Sequence, residues 1–145
     1  VDDQSPLDAS APCPCGFGPA YGECCGRFLG AAGGEPTAAP TAEKLMRSRY
    51  TAFVAGDAGH LLRTWHPDTR PRSLTLDPEV QWTRLTVLAT TGGGLLEQTG
   101  TVEFVAQYRT RGPDGSLQRG RQHEHSRFVR VGGEWVYLDA EPSAS

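Results

Sequence analysis

Several features are scarce in this 145-residue chain, and each scarcity closes off a class of function. No apolar run approaches the roughly 20 residues that a membrane-spanning helix needs, so no membrane role is expected. The opening residues, Val1-Asp2-Asp3-Gln4-Ser5-Pro6, lack the basic start and apolar stretch of a secretory signal. A cytoplasmic location, where cysteines stay reduced, is the expectation. A basic excess is missing too: 14 Lys+Arg stand against 17 Asp+Glu, for a formal charge of -3. That balance argues against nucleic acid as a partner. Lysine is nearly absent, with Lys44 alone among arginines. No cysteine follows Cys25, so a disulfide framework joining distant segments is excluded.

What is present begins with those cysteines. Cys13, Cys15, Cys24 and Cys25 are spaced as Cys-x-Cys, eight residues, then Cys-Cys. Zinc takes four such donors in a tetrahedron. Gly16, Gly18 and Gly22 allow the intervening loop to reverse so that both pairs converge. Four thiolates leave no open coordination position, which makes the expected site structural and able to order a segment too small to fold alone. Buried vicinal cysteines, a strained short-loop disulfide and an iron–sulfur cluster are competing readings, and zinc is favoured over each.

Further along, Ala31–Pro40 is rich in Ala, Gly and Pro, with little side-chain mass to bury. Thr41 is placed to cap a helix carrying Leu45, Met46, Phe53 and Val54 inward, and Gly56 to end it. Asp57 caps a second helix carrying Leu61, Leu62 and Trp65 before Pro67 stops it. Asp77-Pro78-Glu79 predicts a short turn. After Trp82 the period falls to two: Leu85, Val87 and Ala89; then Val102, Phe104, Ala106 and Tyr108; then Leu117 to Val131, and after Gly132-Gly133 the run Glu134 to Leu138. Helices followed by a four-stranded antiparallel meander predict an α+β domain with its helices on one sheet face. The expected organisation is a disordered N-terminus over 1–12, a knuckle over 13–30, a linker over 31–40 and an α+β domain over 41–141.

The segment Cys-Pro-Cys-Gly-Phe-Gly-Pro-Ala-Tyr-Gly-Glu-Cys-Cys-Gly resembles the SEC-C zinc motif of the preprotein translocase ATPase, whose four matching cysteines hold zinc. The lysine-rich translocase copy engages a chaperone and the ribosome. Here only Arg27 lies nearby in sequence, so the metal carries over and the partner does not. Ala39 to Phe53, Trp65-His66-Pro67, Gly100 to Phe104 and Ser126 to Arg130 together resemble the YchJ-type family of bacterial proteins. That resemblance spans Cys13 to about Asp139. It implies a cone-shaped domain similar to nuclear transport factor 2, ketosteroid isomerase and SnoaL-type cyclases. No activity is established for the family, so it bears on architecture.

A cone fold wraps its sheet around a cavity, and fold alone does not say what the cavity does. Strand parity places Val102, Phe104, Ala106 and Tyr108 on one face, and either Glu124, Ser126 and Phe128 or His123, His125 and Val129 facing inward on the next strand. The first set is preferred for Phe128. The expected pocket is therefore Arg49, Tyr50, Trp65, His66, Tyr108, Glu124, Ser126 and Phe128, with Arg47, Arg49 or His66 as the partner that a buried Glu124 needs. Glu124 and His66 are the catalytic candidates. The competing reading of Glu124, a satisfied ion pair fixing helix to sheet, is the commoner case. His123 and His125 point the same way as in a metal site but have no evident third ligand, and His60 reads as a surface residue.

The leading functional expectation is a zinc-binding protein whose knuckle contacts another protein, with the cone as scaffold or small-ligand binder. The alternatives are a cofactor-independent small-molecule enzyme of isomerase, cyclase or hydrolase type, and a ribosome- or RNA-associated role. A homodimer through the sheet is possible in such folds.

Overall fold

The computed structural model describes residues 8–30 and 36–141. Residues 1–7 of the expected disordered N-terminus and 31–35 of the expected linker lie outside the described residues. A 3-10 turn at Tyr21–Glu23 and a one-turn helix α1 (Gly26–Leu29) close the cysteine knuckle. Helix α2 (Ala42–Ala55) follows, and Thr41 Oγ1 accepts a hydrogen bond from the Lys44 amide at 3.1 Å. Such a cap contributes about 1 kcal/mol. Gly56 ends the helix at φ 74°, in the left-handed region. Asp57 Oδ1 then accepts from the His60 amide at 2.9 Å and starts helix α3 (Ala58–Arg63).

Helix α3 is shorter than its apolar pattern predicts. It stops at Arg63, and Trp65 sits in a parallel bridge to Tyr137 instead of continuing the helix. The Tyr137 amide donates to Thr64 O at 2.7 Å, and the His66 amide donates to Tyr137 O at 2.8 Å. Tyr137 belongs to the last strand, whose outer edge would otherwise leave unpaired backbone groups. Pairing with that edge competes successfully with one more helical turn.

Strands β1 (Gln81–Gly92), β2 (Thr99–Arg111), β3 (Leu117–Val131) and β4 (Glu134–Glu141) form an antiparallel meander in the order β1-β2-β3-β4. Register pairs Val102 with Ser126, Phe104 with Glu124 and Ala106 with Gln122. Val102, Phe104, Ala106, Ser126 and Phe128 are buried on the helix-covered face, whereas Val131 is exposed, so parity falls on the side expected for Glu124. Tyr108 faces Gly120 across the strands, and a Cβ there would meet its ring at 2.6 Å. The ring covers the glycine, and a larger residue there would have to displace it.

Leu45, Met46 and Tyr50 of α2 pack on Val102, Phe104, Phe128 and Trp135 in one core. Tyr21, Phe28 and the four cysteines belong to the same cluster, so the knuckle shares the core of the cone domain. Burying a side chain such as Phe28 or Phe128 stabilises by roughly 1.5–3 kcal/mol. Among the described residues, no helix is long and apolar enough to cross a membrane.

Candidate metal centre and cavity

Two short contacts close the knuckle: Pro12 bridges Ala20, and the Cys13 amide donates to Pro19 O at 3.4 Å. Gly16, at φ 77°, turns the chain directly after Cys15. The outcome is that the four Sγ atoms all lie within 4.8 Å of one another, with Cys15 and Cys24 at 3.6 Å. All four are buried free thiols. A tetrahedron with metal–sulfur bonds of about 2.3 Å puts its sulfurs about 3.8 Å apart, so the donor set fits a metal of that geometry.

Electrostatics favours an ion here. The neighbouring thiols of Cys15 and Cys25 hold the Cys13 thiol below its ordinary value. The same contacts to Cys13 push Cys15 up to about 12 and push Cys25 up as well. Four thiolates packed this closely repel one another, and a bound cation would offset that repulsion. The site is tied to α2: Cys13 Sγ lies 3.8 Å from Thr51 Oγ1, and Arg47 Nη1 donates to Cys15 O at 2.9 Å. Helix α2 also brings Lys44 Nζ to 3.8 Å and Arg47 to 5.1 Å from the ring of Phe17, which is exposed. The knuckle therefore has cationic neighbours that its own sequence does not contain.

On the other side of α2, a cavity of about 190 Å³ separates the helix from the sheet. Of the residues named from the sequence, Arg49, Tyr50, Trp65, Glu124 and Ser126 line it. Tyr108, Phe128 and His66 are not in its wall. Tyr108 is engaged over Gly120, Phe128 is core beside Tyr137, and His66 Nδ1 accepts from the Asp68 amide at 3.0 Å. Met46, Phe53, Trp82, Gln122 and Tyr137 also line the cavity, and the sequence reading missed them. Gln122 shares the parity of Glu124, so strand alternation could have found it. Phe53 and Met46 were visible only as core positions.

Arg49 is the unusual wall residue. Only 5% of it is exposed. Its Nη1 donates to Leu61 O at 2.8 Å and Thr64 Oγ1 at 2.7 Å, and its guanidinium lies 4.7 Å from the Tyr137 ring and 5.2 Å from the Trp65 ring. Burial lowers its pKa to about 10, which leaves it charged at neutral pH. Glu124 takes hydrogen bonds from Ser126 Oγ at 3.2 Å and from Gln122 Nε2. Neither Arg47, Arg49 nor His66 is its direct partner: Arg47 pairs with Glu43, and His66 Nδ1 is taken by the Asp68 amide. Desolvation by the surrounding chain is thus offset by neutral donors on the same strand. Trp65 Nε1 is buried without an acceptor among the described residues.

The remaining histidines are differently disposed. His123 and His125 are on the outer sheet face, paired to Glu103 at 2.6 Å and Glu141 at 3.1 Å. His60 is only 2% exposed, contrary to its expected surface place. Ser48 Oγ spends its proton on Leu45 O at 2.7 Å, so His60 Nε2–H donates to that oxygen at 2.9 Å. Its Nδ1 accepts from Arg63 Nη2 at 3.3 Å. Burial, reinforced by Arg63, lowers the His60 pKa from 6.5 to about 4. The unfolded chain takes this proton near pH 6.5 and the folded one only near pH 4. Stability is therefore complete above the unfolded value and is lost as pH falls through the window, by about 3 kcal/mol in all. Urea titrations from pH 7 to 4.5 should show a steeper loss for the wild type than for His60→Gln. Parallel curves would show that His60 does not carry the effect.

A family model described as "YchJ, middle NTF2-like domain" matches residues 41–140. A UPF0225 protein of Streptomyces coelicolor is 57% identical over 130 residues, covering 90% of this chain and 94% of its own length. A solved SEC-C motif containing protein from Rhodopseudomonas palustris superposes with a TM-score of 0.73 at 31% identity, covering 90% of this chain and 98% of that one. Another, from Psychrobacter arcticus, gives a TM-score of 0.66 at 28% identity, covering 94% and 86%.

Proposed function

The chain belongs to the YchJ family, and from that footing we propose that it is a small-ligand-binding module held rigid by one structural zinc ion. The observation that carries the reading is the cavity under α2, which pairs aromatic walls with a buried, charged Arg49. Concave, largely apolar sites with a few placed polar groups are the usual form of ligand pockets. Zinc is favoured for the knuckle because the donors are four thiols, close enough together to suit its tetrahedral coordination. With every coordination position supplied by the chain, the ion would contribute rigidity and no reactive site. It would fix Cys13 against Thr51 and Cys15 against Arg47, on the face of α2 opposite the cavity. Binding is favoured over turnover because Glu124 is held by Ser126 and Gln122, and His66 stands outside the cavity.

The test is a crystal structure of the full chain, with data collected at the zinc absorption edge after soaking with a small aromatic fragment set. One zinc peak among the four sulfurs and fragment density beneath α2 are expected. A different metal, or none, would sink the zinc half of the reading; fragments seated only outside the cavity would sink the ligand half.

A further inference from the structure

We propose that the cavity selects a small monocarboxylate with a flat apolar body, and that Arg49 receives the carboxylate; the inference rests on reading this cavity as a ligand site. The Arg49 guanidinium is only partly used by the chain. Its Nη1 is occupied by Leu61 O and Thr64 Oγ1, while Nε and Nη2 have no acceptor among the described residues. Those two atoms form one edge of the guanidinium fork. On the outer face, Arg127 grips Asp139 by that same edge, with Nε on Oδ1 at 2.6 Å and Nη2 on Oδ2 at 2.5 Å. Arg49 lines the cavity with the equivalent edge unused.

No carboxylate among the described residues lies within ion-pair distance of Arg49, which is 5% exposed, and Glu124 favours its charged form only through space. A buried cation without a hydrogen-bonded counter-ion is costly, and a carboxylate on its free edge supplies both charge and geometry. Glu124 on the same wall decides between anions. It disfavours a dianion such as phosphate more than a singly charged group, and the cavity offers no second cation to offset that repulsion. A cationic ligand is disfavoured by Arg49 itself, and both Glu124 oxygens already accept from the chain. Phe53, Trp82 and Phe104 supply apolar surface, and about 190 Å³ has room for a single ring and its substituent.

The test uses the zinc-loaded full chain and three probes: benzoate, its uncharged isostere benzamide, and inorganic phosphate. Affinities come from titration calorimetry and contact sites from chemical-shift changes. Benzoate is expected to bind roughly tenfold more tightly than benzamide, as one charge-assisted pair provides, with shifts at Trp82 and Tyr137 and none from phosphate. Arg49→Lys, which keeps the charge and loses the fork, should remove the benzoate preference while leaving benzamide binding. Equal binding of benzoate and benzamide in the wild type overturns the anion selection and leaves the ligand site standing. Benzoate shifts confined to outer-face arginines, or phosphate binding in the cavity, overturn it as well. Failure of every probe to bind removes the ligand site and this inference together. The wild-type comparison decides the matter even if Arg49→Lys does not fold.

Discussion

Chelating the ion proposed for the knuckle is expected to lower the melting temperature by more than about 10 °C and to open residues 8–30 before the sheet. The expectation follows from how little else holds that segment. Its helix α1 has four residues, far below the length at which a helix persists by itself. Its backbone bonds are scattered turn contacts such as Gly16 N to Cys13 O. Apparent affinities of structural zinc sites, about 10–16 kcal/mol, match or exceed the whole stability of a typical domain, about 5–15 kcal/mol. Without an ion the four buried cysteines have nothing to hold them together, and Tyr21 and Phe28 lose the frame that seats them in the core. The sheet should outlast the knuckle, because β2 is paired along its length to both β1 and β3. Thermal melts with and without chelator, read beside amide exchange, check both parts. An unchanged melt with protected knuckle amides in a demonstrably metal-free sample would show that the thiol cluster needs no ion. Cys25→Ser should act in the same direction as chelation.

Arg49→Ala should cost about 3 kcal/mol of stability, whatever its effect on binding. Three losses combine. The acceptors Leu61 O and Thr64 Oγ1 lose a charged donor at the point where α3 meets the bridge to β4. The Tyr137 and Trp65 rings lose the guanidinium that lies against them. The cavity also grows by most of a side chain. Arg49→Met restores the volume and not the donors, so it should recover part of the loss, and Arg49→Lys should recover more. Urea unfolding at pH 7 gives the values, and a constant slope confirms that the native state is otherwise unchanged. A cost for Arg49→Ala within about 0.5 kcal/mol of zero would mean that these contacts are solvated rather than structural.

The knuckle was legible because its signal is local. Four cysteines at fixed spacing with glycines between them can converge in few ways, and the structure brings all four together. Thr41, Gly56 and Asp57 were equally legible, since a cap depends on residues within one turn of it. Strand alternation placed Glu124 and Ser126 against the helices, and Phe128 correctly tipped the choice of face. The end of α3 was not legible. Its apolar pattern continues to Trp65, and only the free edge of β4, far along the chain, takes that residue out of the helix. His60 was misplaced for a related reason: a short helix has no inherent inner face until Ser48 and Arg63 are set beside its ring.

The cysteine cluster thus stands on two levels. Sequence alone determined which residues form the candidate metal centre, where the helices are capped, and that a four-stranded meander follows them. Those features follow from short-range geometry and from a period of two or of 3.6. Tertiary structure alone decided that the knuckle joins the main core, that Tyr137 reaches the cavity, and that Arg49 is buried with one edge of its fork unused. Each of these depends on where two distant elements meet, and on which polar groups that meeting leaves without partners.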